Sequence, residues 1–330
     1  MPGVTRFALR PLLIAAAVTA GLAAAPSGAQ TLKIRYQQAF APSAQDLPLF
    51  TAIGKGFFKE AGLEVEVKPS QDPANAVALV GTGEAQVGDS YPPDIMLAAE
   101  KGIPIVAFYA TYQVNPLGIV SLVDGANIRA VKDLAGKKIG LTPLPIDQLL
   151  FDLVIEKAGI TRKQLEIVNP GFNGGQMVGE KKLDGASAVP WYEVDGLKSA
   201  GMKPYLLEYR TVGGLDFPFM ALIANAKFAQ DNGAKVTGFV RAIQKGAAYA
   251  KANPAEAMDI LLKAVPTLDR KRQEAAALTV NPLRESAATA ANGPGYIDMG
   301  QIQKLADFLY ERKLLKAKPD VNKVFTNNYR

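Results

Sequence analysis

Short apolar runs alternate with amphipathic stretches along most of this chain. Leu32-Lys33-Ile34-Arg35-Tyr36 alternates with period two and predicts a strand. Residues 49–58 have helical spacing that closes at Gly62, and residues 65–67 form the next strand. A helix over 74–80, a short strand over 85–88, a helix over 95–100 ended by Gly102, and a strand over 105–109 follow. From 117 to 224 the alternation repeats. Strands are predicted over 118–123, 138–141 and 165–168, with a helix over 147–157 and a capping-box signature at Thr161 and Gln164. A helix over 191–200 precedes a return strand over 219–224. The remainder is helical: Val236, Phe239, Val240, Ile243 and Ala247 share one face, and Ile302, Leu305 and Leu309 share another. Strand–helix–strand order of this kind predicts mostly parallel sheets flanked by helices, an α/β class.

Two features of the N-terminus alter the reading. Arg6 and Arg10 precede an apolar stretch over 12–25, and Ser27-Gly28-Ala29 supplies a small-x-small cleavage pattern. The stretch is shorter than the roughly 20 residues that span a bilayer, so residues 1–29 read as a secretory signal peptide. No cysteine follows it, so no lipid anchor is expected and the destination is a periplasm. The remaining chain exceeds a comfortable single core, which predicts two lobes: 30–116 plus 226–330, and 117–225. The chain crosses twice between them, a two-segment hinge.

Composition removes whole classes of chemistry. The chain has no Cys and no His, which excludes disulfides, thiolate and iron–sulfur chemistry and a Ser-His-Asp triad. No catalytic residue, cofactor or metal site is expected. The formal charge of +6 is scattered without a basic cluster, so nucleic acid is not an expected partner. Nucleotide-binding glycine motifs are absent.

Several segments carry a resemblance. They are Lys55-Gly56-Phe57-Phe58-Lys59-Glu60-Ala61-Gly62-Leu63-Glu64-Val65, Gly102-Ile103-Pro104-Ile105 and Lys132-Asp133-Leu134-Ala135-Gly136-Lys137-Lys138-Ile139-Gly140. On these the chain resembles periplasmic solute-binding proteins of ABC importers, of the two-lobed type II periplasmic-binding fold. Within them it is similar to the group that takes thiamine pyrimidine precursors, sulfonates, nitrate and taurine. Val87-Gly88-Asp89-Ser90-Tyr91, Trp191-Tyr192-Glu193, residues 253–266 and the ending Val324-Phe325-Thr326-Asn327-Asn328-Tyr329 look like the pyrimidine branch. Phe40 and Asp46 stand where that branch has Trp and His, and Phe217-Pro218-Phe219 where it has Tyr-Tyr-Glu. The resemblance implies a monomer that captures a small planar heterocyclic or aromatic solute. Its partners would be an inner-membrane permease and that permease's ATPase. An anion binder for sulfonate, nitrate or taurine and a periplasmic sensor partner are the alternatives. A eukaryotic relative of the fold makes the thiamine pyrimidine from its own histidine, aided by cysteines, and this chain has neither.

Ligands of open α/β sheets sit beyond the carboxyl ends of strands. That rule, with the resemblance, nominates Phe40, Asp46, Ser90, Tyr91, Asn173, Trp191, Tyr192, Glu193, Asp216 and Phe217. Tyr91 and the Trp191 or Tyr192 ring would stack on a flat ligand, while Glu193 accepts from an exocyclic amine. Adjacent on a helix, Trp191 and Tyr192 cannot both face the cleft, and the sequence leaves open which does. Asn173 lies in the loop Gly171-Phe172-Asn173-Gly174-Gly175, which permits close backbone approach. Asp147 reads as a helix N-cap. The nominated segments contain no arginine, which disfavours the anion reading.

Overall fold

The structure is a computed structural model that describes residues 1–3, 31–70 and 73–330. The expected signal peptide lies almost wholly outside the described residues. Ten strands among the described residues form two five-stranded sheets within the unit Thr31–Arg330. They are β1 (Leu32–Gln37), β2 (Leu63–Lys68), β3 (Val87–Ser90), β4 (Ile105–Tyr112), β5 (Gly118–Leu122), β6 (Lys138–Gly140), β7 (Glu166–Val168), β8 (Gly185–Ala188), β9 (Pro204–Glu208) and β10 (Met220–Asn225).

The first sheet has the order β2-β1-β3-β10-β4 and the second β7-β6-β8-β5-β9. In each, one strand runs against the other four: β10 is antiparallel to β3 and β4, and β5 to β8 and β9. The alternation in β1 does what it predicts: Ile34 and Tyr36 are buried while Lys33 and Arg35 face solvent. Charged Glu64 and Glu66 occupy the edge strand β2, where they blunt strand addition.

The chain leaves the first sheet after β4 through residues 113–117 and returns through 209–219. The return strand Met220–Asn225 pairs with β3 and β4, so it belongs to the first sheet and the second segment closes before residue 220, not after 225. Asp216 ties the two crossings together. Its Oδ1 accepts from the Asn115 N–H at 2.7 Å and from the Phe217 N–H at 3.0 Å.

Two local differences from the sequence reading matter for the site. The strand expected over 85–88 is shifted on by two residues, which keeps Ser90 inside the sheet opposite Ala221. The helix expected over 191–200 is a π-helical turn, Pro190–Val194, followed by the helix Asp195–Ser199. Strand β9 was missed because Tyr205-Leu206-Leu207 is short and follows a proline.

After β10 the chain is helical. The helix Gly233–Ala252 buries Val236, Phe239, Val240 and Ile243, as its apolar stripe predicts. The helix Arg270–Val280 packs against the turn Ala44–Asp46 and against the Pro190–Val194 turn. Its Gln273 Oε1 accepts from the Ala44 N–H at 2.7 Å, and its Thr279 hydroxyl donates to Asp195 at 2.8 Å. Arg312 holds both oxygens of Glu156, on the helix Pro145–Lys157 that follows β6, at 2.8 and 2.7 Å.

Candidate functional site

A cavity of about 640 Å³ is lined from both sheets. Its walls are the loops that follow β1, β3, β6, β7 and β8, which supply Phe40, Tyr91, Thr142, Asn173 and Trp191 respectively. Those are the carboxyl ends of the parallel strands, where side chains on rigid loops converge. The volume suits a small organic molecule.

Aromatic faces dominate the walls. Tyr91 lies against Phe219 with ring centroids 4.9 Å apart. Trp191 sits 5.4 Å from Tyr112 and 6.4 Å from Phe219. Phe40 meets Phe172 edge-on at 5.7 Å, and Phe172 is half exposed, so this pair stands at the mouth.

The π turn resolves the question of which ring faces the cavity. The Asp195 N–H bonds to the Pro190 carbonyl, a span one residue wider than an α-turn. Across this widened turn Trp191 and Tyr192 both border the cavity, their centroids 6.2 Å apart. Trp191 is only 3% exposed, so most of its ring is packed, and its Nε1–H has no hydrogen-bond partner among the described residues.

Glu193 is the more buried of the two carboxylates, with Glu180, that line the cavity. Its Oε2 accepts from the Val189 N–H at 2.8 Å, and burial pushes its pKa from 4.5 up to about 7. The helix Gly174–Gly179 passes close behind. A Cβ on Gly175 would fall 2.8 Å from the Glu193 Cγ, so only glycine leaves that carboxylate its room.

A second polar corner uses Asp147. It is not the N-cap expected, because Leu144 holds that position and Asp147 lies within the first turn, fully buried. Asp147 Oδ2 accepts from the Thr142 hydroxyl at 2.7 Å and from the Ser187 hydroxyl. Both hydroxyl protons are thereby committed, and Ser187 Oγ also accepts from the Thr142 N–H at 3.1 Å, so Thr142 keeps its lone pairs for the cavity and Ser187 one. Burial raises the Asp147 pKa.

Of the ten nominated residues, Phe40, Tyr91, Asn173, Trp191, Tyr192 and Glu193 line the cavity. Four do not. Asp46 turns inward, accepting from the Ser43 N–H at 2.9 Å, while its neighbour Gln45 takes the wall position. It borders a separate chamber of about 40 Å³ with Tyr36, Asp89 and Arg284. Burial there pushes Asp46 to about 7 and Asp89 to about 6. Ser90 is fully buried in the sheet, and the register shift makes Tyr91 the first residue free of it. Asp216 is spent on the crossings. Phe217 is core at 1% exposure, and Phe219, two residues on, lines the cavity instead.

Arg272 was missed, and it corrects the statement that the site has no arginine. It reaches the wall from the first turn of Arg270–Val280, far away in sequence. One signal was available. Arg270-Lys271-Arg272 puts three cations at the positive end of a helix, which helix stability alone disfavours. Among the described residues no cluster of His, Cys, Asp or Glu could hold a metal, and no helix is long and apolar enough to cross a membrane.

Comparison with known proteins adds the following. A formylaminopyrimidine-binding protein of Halalkalibacterium halodurans is 27% identical over 67% of this chain and 67% of its own. The riboflavin-binding protein RibY of Chloroflexus aurantiacus is 27% identical over 97% of this chain and 92% of its own. The 4-amino-5-hydroxymethyl-2-methylpyrimidine phosphate synthase THI11 of Saccharomyces cerevisiae is 24% identical over 72% and 73%. Among solved structures, the periplasmic aliphatic sulphonate binding protein SsuA of Escherichia coli superposes with a TM-score of 0.68 at 16% identity, covering 88% of this chain and 90% of that one. The sheets, the double crossing and this superposition together make the fold that of the periplasmic binding proteins. The family model described as NMT1/THI5 like matches residues 43–257, and the chain belongs to that family.

Proposed function

We propose that this protein is the periplasmic solute-binding component of an ABC importer, and that it captures a flat heterocycle bearing N–H donors. The reading is carried by one observation: aromatic faces border a cavity whose walls also carry the acceptor oxygens of Glu193, Thr142 and Ser187. An aminopyrimidine-like ring would stack on Tyr91, Trp191 or Tyr192 and donate to those three oxygens. Relatives named for formylaminopyrimidine and riboflavin support a nitrogen heterocycle, and the signal-like N-terminus supports export. The two lobes close on the ligand as far as its preference for the closed form allows, and a permease distinguishes the result. The yeast relatives are synthases, but a chain without His or Cys has no histidine to consume and no thiol to assist, so we assign binding without turnover.

The test is ligand screening of the purified chain by thermal shift and by emission of its single tryptophan. A ligand at a hundredfold excess over Kd stabilises the native state by about 2.7 kcal/mol. Aminopyrimidines or flavins should stabilise the protein and change Trp191 emission. Stabilisation by aliphatic sulfonates alone, or chemical conversion of the ring, would overturn the proposal.

A further inference from the structure

We propose that Arg272 is a specificity determinant of this cavity, selecting a ring that carries a carboxylate on an edge distinct from its N–H donors. The inference rests on the cavity being a solute site, as proposed above.

Arg272 is a cation on the cavity wall that the fold does not use. Its guanidinium makes no hydrogen bond or ion pair among the described residues, and its backbone N–H alone is engaged, by Asp269 at 2.9 Å. Its neighbour Arg270 is differently placed, bonded to Asp259 and to Glu274. An arginine in the first turn of an 11-residue helix opposes the helix dipole, so an unpaired one there is a small cost without a structural return. It forms no hydrogen bond with Glu193, whose Oε2 is held by the Val189 N–H, and acts on that carboxyl only through its charge, as the smallest of five influences.

The charge around the cavity narrows the anion. Two carboxylates share the walls: Glu180, paired with Lys182 at 2.7 Å, and Glu193. A phosphate dianion would meet Glu193 beside a Glu180 already offset by Lys182, with a single free arginine to balance its two charges. A carboxylate carries one charge, and its two oxygens match the guanidinium fork. The site therefore fits a flat ring with an amine towards Glu193 and a carboxylate towards Arg272.

The experiment compares ring pairs that differ only in the acid: para-aminobenzoate with para-aminobenzamide, and an aminopyrimidine carboxylate with its carboxamide. Dissociation constants are read by calorimetry and by Trp191 emission on the wild type, Arg272→Gln and Arg272→Lys. Arg272 is exposed, so these variants should fold, which circular dichroism checks. The wild type should prefer each carboxylate by about tenfold, the lower range for a charged hydrogen bond at a solvent-facing group. Arg272→Gln should bring the carboxylate down to the level of the carboxamide, and Arg272→Lys should keep part of the preference. Equal binding of the two members by the wild type, or a preference that survives Arg272→Gln, overturns the inference and leaves the ring site standing. If no ring of either series binds, the proposed function falls and this inference with it.

Discussion

Glu193→Gln should stabilise the ligand-free protein at pH 8 and leave it nearly unchanged at pH 5. Burial raises the folded pKa of Glu193 from 4.5 to about 7, so the folded state holds a proton that the unfolded chain releases. The contribution of the protonated form is fully present below about pH 4.5 and is lost as pH rises through about 7. The interval between 4.5 and about 7, at about 1.36 kcal/mol per pH unit, caps the penalty near 3 kcal/mol at pH 8, against less than about 1 kcal/mol at pH 5. Glu193 borders a cavity that admits water, so about 2 kcal/mol is the expected difference between the two pH values. Glutamine cannot ionise, and its carbonyl can still accept the Val189 N–H. The assay is the melting temperature of variant and wild type at both pH values. The variant's gain should be several degrees larger at pH 8, at about 2–4 °C per kcal/mol. The same substitution should weaken an amine-bearing ligand, so stability and binding move in opposite directions. A gain of equal size at pH 5 and pH 8 would refute the reasoning, because Glu193 would then not titrate between them.

Further outcomes follow from the same geometry. Affinity for a neutral N–H donor should rise with pH through about 7 and level off above it, because the ligand selects ionised Glu193; calorimetry in buffers of different ionisation enthalpy should show proton release on binding. Gly175→Ala should weaken the ligand by tenfold or more and cost about 1–3 kcal/mol, since its Cβ would press on the Glu193 side chain; unchanged affinity would remove that contact from the site. Phe217→Ala should cost about 3–5 kcal/mol in chemical denaturation with little change in Kd, because the ring is core and not wall. Arg312→Ala should change stability by less than about 1 kcal/mol, as expected for a solvent-facing pair, yet enlarge the radius of gyration of the ligand-free protein in solution scattering if the Glu156 pair holds the lobes together.

The alternation of runs was enough to read the α/β class and most strands, because period-two and helical spacings are written locally. The strand-end rule together with the family resemblance led to residues that line the cavity: Trp191, Tyr192 and Glu193 follow β8. Ser90 and Asp46 failed for a different reason. A two-residue shift of β3 decides whether Ser90 lies inside the sheet, and that shift is set by its pairing with β10, from much later in the chain. Asp46 faces inward because its carboxylate caps the Ser43 N–H, while its neighbour Gln45 takes the wall. Trp191 and Tyr192 both reach the cavity wall across a π turn, which helical periodicity cannot anticipate. Arg272 was illegible as a wall residue because nothing near it in sequence belongs to the cavity, although its place against the helix dipole was a readable anomaly.

Asp216 grips one backbone amide on the outgoing passage and one on the returning passage. A bend in either strand pulls on the same oxygen, so the two cannot flex out of step without breaking a bond. Removing that carboxylate would leave the Asn115 N–H without its acceptor and unstitch the outgoing passage from the returning one at this point.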